Sequence, residues 1–331
     1  LLVYKSMVLQ LNDNASLHNE DNRKDRFHTS FVPLLHKLVT QLAIKVKELI
    51  SAGHTQESRK LYQHLALFLR DLFSIMDRGS VFEMINRFTF ELDLENDAPA
   101  AFVDAKFQFL RIICNHEHYV PLNMPLPIDL ATINVTDIRV VFWRKHFLAG
   151  LLLEELGKGM DKATADRRAT GITVFRDLLW KHDHDPRYRD PVAKERIAQL
   201  YFPFVLMMID HWPSMKEFAT SYSFAERRCW LVCFIWVLKN VNRTMIQTWW
   251  KRDTTPKRKK AFLDILADCL LHFEYAGSSE ISKRESSNAL NSGDSSGGGH
   301  HLSSSLGDAL SASGESTGSV SGEDKKKRKH A

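Results

Sequence analysis

Cysteine is scarce. Four residues, Cys114, Cys229, Cys233 and Cys269, stand in a chain of 331, too few and too scattered for a disulfide framework. Each lies in an apolar run of helical period, so stability must come from burial, and a reducing compartment suits the chain. Convincing strand alternation and tight hairpin signals are also missing, which argues against a sheet-based enzyme fold. The most apolar stretch, Cys229 to Leu238, is bounded by Arg227-Arg228 and Lys239 and falls well short of the roughly 20 residues a spanning helix needs. It reads as a buried core helix. The start, Leu1-Leu2-Val3, runs into charged sequence without the basic region and cleavage site of a signal peptide. With no initiator methionine, it reads as a piece of a longer protein.

Catalytic constellations are equally absent. There is no Gly-x-Ser-x-Gly elbow, no phosphate-cradling glycine loop between strand and helix, and no cysteine in a nucleophile signature. No catalytic residue, cofactor or metal is therefore expected. Two strings need separate treatment. Cys114-x-His116-x-His118 offers good zinc ligands, but its histidines are two apart, whereas a helical zinc motif spaces them four apart. His182-Asp183-His184-Asp185 alternates imidazole and carboxylate. Its acids, however, stand before Pro186 and near Pro191, where they serve as turn and cap residues. Cys229 and Cys233 share a helix face and read as small core hydrophobes.

What the chain does have is helical periodicity on a globular composition, 44% apolar and 26% charged. Leu35, Leu38, Val39, Leu42, Val46, Leu49 and Ile50 make one stripe, which Gly53 can stop. Leu61 to Met76 makes a second, ended by Gly79, and Ser80-x-x-Glu83 reads as a capping box opening a third. A fourth is expected from Pro99 to Cys114 with Phe102, Phe109, Leu110 and Ile113 inward. Pro121, Pro125 and Pro127 then predict a helix-free crossing over Asn115 to Thr136. A fifth helix is expected from Asp137 to Leu156, and a sixth from Ala163 to His182, interrupted at Gly171. Pro191 to Ile209 predicts a seventh, kinked at Pro203. Ser223-x-x-Glu226 opens an eighth, a short one covers Thr244 to Trp250, and Thr255-Pro256 opens the last. The class is all-α, and about ten helices joined mostly by short connections suggest an armadillo or HEAT-like α-solenoid.

The helical scaffold is expected to occupy residues 1–276, with a disordered tail at 277–331. The tail is rich in Ser and Gly and too poor in apolar groups to offset its ordering entropy. Net charge is +5, and much of the excess is local. Lys251, Arg252, Lys257, Arg258, Lys259 and Lys260 could meet an anionic lipid surface or an acidic partner, the plainer reading being a solvated helix face. Lys325, Lys326, Lys327, Arg328 and Lys329 match the short basic pattern read by nuclear import receptors.

Several strings resemble the region between the C2-like and exchange domains of dedicator-of-cytokinesis (DOCK) proteins, most closely the zizimin and zizimin-related branches. The longest is Phe109-Leu110-Arg111-Ile112-Ile113-Cys114-Asn115-His116-Glu117-His118-Tyr119-Val120-Pro121-Leu122-Asn123. The others are Ser74-Ile75-Met76-Asp77-Arg78-Gly79, His146-Phe147-Leu148-Ala149-Gly150-Leu151, His182-Asp183-His184-Asp185-Pro186-Arg187-Tyr188 and Ala198-Gln199-Leu200-Tyr201-Phe202-Pro203. The resemblance runs from about residue 4 to 275. It implies an armadillo-like scaffold in a parent that releases GDP from Rho-family small GTPases at membranes, using domains that flank this region. The expected function is thus a non-catalytic scaffold segment of a guanine nucleotide exchange factor. Its partners would be a Rho-family GTPase through a flanking domain, a regulatory protein, and weakly an anionic membrane, with no nucleic acid. The expected location is the cytoplasm, with membrane recruitment; nuclear entry is the lesser alternative. The rival function is a freestanding armadillo-like adaptor.

Overall fold

A computed structural model describes residues 2–14, 23–93, 99–123, 146–161, 165–217 and 222–273. Thirteen α-helices carry these residues: α1 Leu2–Asn14, α2 Phe31–Ser51, α3 Thr55–Leu72, α4 Arg78–Glu91, α5 Ala100–Cys114, α6 Tyr119–Leu122, α7 Phe147–Asp161, α8 Ala165–His184, α9 Pro191–Leu200, α10 Phe202–Glu217, α11 Phe224–Asn240, α12 Arg243–Thr248 and α13 Pro256–His272. A 3₁₀ turn at Pro186–Tyr188 and a π turn at Trp249–Asp253 complete them, and no strand occurs among the described residues. The expected tail lies outside the described residues, as does the segment 137–145 assigned to the start of the fifth helix.

The helices stack in chain order, the behaviour of a solenoid. α2 packs on α3 and α4, α3 on α5, α5 on α8, α8 on α7 and α11, and α11 on α9, α10 and α13. Sequence period explains each inward face: in α2, Leu35, Val39, Ala43, Val46 and Ile50 are buried, three to four residues apart, so they form one stripe. Aromatic side chains carry the core from layer to layer. Phe88 of α4 stacks on Phe109 of α5 at 3.8 Å, and Phe204 of α10 lies between Phe175 of α8 and Trp230 of α11, at 4.7 and 5.9 Å.

Several boundaries differ from the sequence reading, each for a local reason. Asp77, not Ser80, caps α4, its carboxylate accepting the Ser80 N–H at 3.2 Å. The stripe of α3 ends at Leu72 because Phe73 to Met76 already form turns. Residues 115–136 are not wholly helix-free, since Pro121 sits inside the single turn α6, where an absent N–H costs nothing. Gly171 does not interrupt α8. A Cβ there would stand 2.8 Å from the Phe107 ring and 3.2 Å from Leu156, so glycine permits close packing of α8 on its neighbours. The expected kink at Pro203 is a full break at Tyr201, and Pro203 takes the second position of α10. Had α9 continued, the proline ring would have struck the carbonyl four residues back.

Polar side chains also cross between layers. Asn123 reaches α7 from the end of α6: its Oδ1 accepts the Ala149 N–H at 2.8 Å, and its Nδ2 donates to the Tyr119 carbonyl at 2.8 Å. It therefore serves as a cap supplied from 26 residues away in the chain, satisfying a donor that the first turn of a helix leaves open. Lys106 of α5 donates to Asp93 at 2.9 Å and Glu155 of α7 at 3.1 Å. Lys158 joins the same two acids at 3.0 and 2.7 Å. Burial alone would raise the Asp93 carboxyl, but its bonds from Lys106 and Lys158 hold it below its usual value. Arg168 of α8 donates to Glu226 of α11 at 3.2 Å and lies 4.2 Å over the Tyr222 ring.

Asn123→Ala should destabilise the chain by about 1–3 kcal/mol, because the buried Ala149 N–H loses its acceptor, while the Tyr119 carbonyl keeps the backbone N–H of residue 123 at 3.2 Å. Equilibrium denaturation measures this; an unchanged midpoint would show that α7 is capped by another group.

Candidate anionic-surface site

Thr255 accepts the Arg258 N–H at 3.3 Å through its hydroxyl and opens α13, with Pro256 at the first helical position. Just before it, the π turn widens the chain, and the Thr254 hydroxyl donates to the Trp249 carbonyl at 2.8 Å. This puts Trp249 inward against Phe202 and Phe262, at 6.2 and 5.5 Å, and leaves Trp250 half-buried on Phe262. The two tryptophans thus anchor the turn from which the basic run projects.

The six basic residues divide into two groups. Arg258 makes a two-pronged ion pair with Asp210 of α10 at 2.7 and 2.8 Å, and Lys259 stands 5.3 Å over the Trp250 ring. These two hold α13 to its neighbours. Lys251, Arg252, Lys257 and Lys260 are exposed and take part in no ion pair among the described residues. The first turn of α13 contains no acid, so its cations add to the positive end of the helix dipole instead of neutralising it. Four solvated cations at that end give a local positive potential suited to an anionic surface. Lys325, Lys326, Lys327, Arg328 and Lys329 lie outside the described residues. No described helix is long and apolar enough to cross a membrane.

The two strings with metal-type residues have other roles. Cys114 is buried beside Tyr119, and burial pushes its thiol up to about 12. His116 packs edge-on against Phe73 at 5.4 Å, and its Nδ1 accepts the His118 N–H at 3.0 Å. His118 points to solvent. In the second string, His182 is buried between Tyr119 and Tyr201, with ring separations of 5.7 and 5.9 Å. Asp183 pairs with Lys194 at 2.6 Å, His184 stacks on Trp180 at 4.3 Å, and Asp185 caps the 3₁₀ turn while binding Arg187. Four successive side chains leave in four directions. Among the described residues, no group of three or more His, Cys, Asp and Glu is arranged to hold a metal.

A feature not legible in sequence joins these strings. The Tyr201 hydroxyl donates to that of Tyr119 at 3.2 Å and also meets His182 Nε2 at 3.2 Å. At the surface above them, Lys181 donates to the Asn115 carbonyl at 2.9 Å and Arg187 to that of Glu117 at 2.7 Å. Segments some 65–80 residues apart in sequence therefore close on one another around Tyr119.

Burial depresses His182 to about 3 and His116 to about 4, so both are neutral in the fold and take up protons only on unfolding. Since the unfolded imidazoles titrate near 6.5, their contribution is complete above that value and is lost as pH falls towards 4. The expected slope reaches about 1.4 kcal/mol per pH unit for each proton gained on unfolding. Stability of the chain should therefore fall between pH 6.5 and 4, and more gently in His182→Phe; identical slopes would contradict a buried neutral His182.

A family model described as "DOCK6-11, TPR domain" matches residues 1–114. Human dedicator of cytokinesis protein 7 is 29% identical over 367 aligned residues, covering 83% of this chain and 17% of the relative. Human dedicator of cytokinesis protein 9 is 33% identical over 217, covering 63% of this chain and 10% of the relative. Guanine nucleotide exchange factor SPIKE 1 of Arabidopsis thaliana is 26% identical over 277, covering 83% and 14%. The chain thus spans less than a fifth of the length of these relatives. No solved structure matches it. Together these matches support reading the chain as a fragment of a dedicator-of-cytokinesis protein.

Proposed function

We propose that this chain is a non-catalytic helical scaffold of a guanine nucleotide exchange factor in Rho-family GTPase signalling, and that Lys251, Arg252, Lys257 and Lys260 give it a weak contact with anionic surfaces. One observation carries the scaffold reading. The match to dedicator of cytokinesis protein 7 runs along 83% of the chain, and a relative matched over the same share is named a guanine nucleotide exchange factor. The structure supports a mechanical role through where its reactive groups go: Cys114, His116, His182, Asp183 and Asp185 pack, cap or pair within the stack.

In this reading the scaffold keeps flanking modules at a fixed separation. Layered helices tied by aromatic stacking and buried ion pairs resist bending, because a closely packed interior transmits strain. The GTPase would be engaged by a flanking exchange domain, and a regulatory protein could use the scaffold's outer faces. Location in the cytoplasm with recruitment to membrane follows from this proposal.

The purified chain should not accelerate release of fluorescent GDP from any Rho-family GTPase; saturable, GTPase-specific acceleration would place the catalytic element in these helices and refute the scaffold reading. Lys251→Glu/Lys257→Glu/Lys260→Glu should weaken sedimentation with phosphatidylserine vesicles at low salt. Because all three side chains are solvated, the melting temperature should stay within a few degrees of the parent's. Unchanged sedimentation would remove the basic run from the proposal.

A further inference from the structure

The outer face of α13 combines charge with exposed leucine. Lys260, Leu263, Ala267, Leu270 and Leu271 recur at helical spacing and lie on one row, and all five are exposed. The leucines are 55, 76 and 71% exposed, unusual for large apolar groups aligned on one face of a helix. Phe224, 66% exposed at the start of α11, stacks on His272 of α13 at 5.6 Å and adds an aromatic ring near the same end. The opposite face is committed to the core through Ala261, Phe262, Ile265 and Cys269.

We propose that this row lies on an anionic lipid surface, with Leu263, Leu270 and Leu271 entering the boundary between headgroups and acyl chains. Charge favours lipid over a protein groove. Lys257 and Lys260 continue the row at its amino end, beside Lys251 and Arg252, and none of the four takes part in an ion pair among the described residues. One carboxylate shares this face: Asp264, four residues after Lys260, is partly buried and is outnumbered there by Lys257 and Lys260, while Asp268 is held by Trp212 at 3.1 Å and Lys216 at 2.9 Å. A helix of 17 residues, about 25 Å long, would lie flat with its lysines reaching phosphates while its leucines leave water. The buried face fixes the rotation of the helix, so no folding accompanies contact. This deepens the anionic contact proposed above and rests on it, adding an apolar component that charge alone does not supply.

The test uses the full chain with Lys325, Lys326, Lys327, Arg328 and Lys329 changed to Gln throughout, so that the tail's cations do not contribute. An environment-sensitive fluorophore on Ala267→Cys, in a Cys229→Ser background, should shift to the blue on phosphatidylserine-containing vesicles. It should also be quenched by lipids brominated in the acyl chain. Leu263→Ser/Leu270→Ser/Leu271→Ser should lower the vesicle partition coefficient about tenfold or more without lowering the melting temperature. A chain that sediments with anionic vesicles while its label stays in water would leave the electrostatic contact standing and overturn insertion. Equal partition of the triple variant would do the same. A dimer that becomes monomeric in the triple variant, with vesicle partition unaltered, would assign the row to a second copy and overturn the lipid assignment.

Discussion

The stack depends on burying hydrogen-bonding groups at one point between its layers. Tyr119, Tyr201 and His182 meet in the interior, and the Cys114 thiol lies beside them. The two hydroxyls and His182 Nε2 have given up water for one another, whereas His182 Nδ1 is buried without a hydrogen-bond partner, a desolvation the fold bears. This mutual bonding fixes α6 against α8 and the start of α10 more narrowly than leucine packing could. Apolar contacts tolerate sliding; a hydroxyl shared between two residues does not.

From this point the neighbouring features follow. Asn123, one turn beyond Tyr119, is carried to the amino end of α7 and caps it. Lys181 and Arg187, flanking His182, close over the carbonyls of Asn115 and Glu117. On the other side, His116 is set against Phe73. The strings through which the chain resembles dedicator-of-cytokinesis proteins are therefore largely the residues that assemble one structural junction. Their histidines, acids and cysteine look like chemistry because buried polar junctions draw on the same residue types as active sites.

The basic run shows the opposite economy. Arg258 and Lys259 are absorbed by Asp210 and Trp250, whereas their neighbours stay in solvent at the positive end of a helix. Holding cations there is mildly unfavourable for the isolated fold, and Leu263, Leu270 and Leu271 farther along α13 are exposed.

Much of the architecture was readable in advance. Apolar period placed most helices, since a 3.6-residue repeat can bury only one stripe, and local chemistry named the caps Ser223 and Thr255 and the stop at Gly53. Boundaries were missed where two local signals competed. Asp77 outbid Ser80 for the same turn, and Pro203 could start a helix as readily as bend one. Lys251 to Lys260 was visible as a run, but not its division, because Asp210 lies 48 residues from Arg258 and the ring under Lys259 is placed by a π turn. Periodicity thus determined which residues face inward on each helix. Only the tertiary structure decided which inward faces meet, which cations are spent on partners, and which leucines of α13 are left in water, because those outcomes rest on contacts between segments that the chain's order does not bring together.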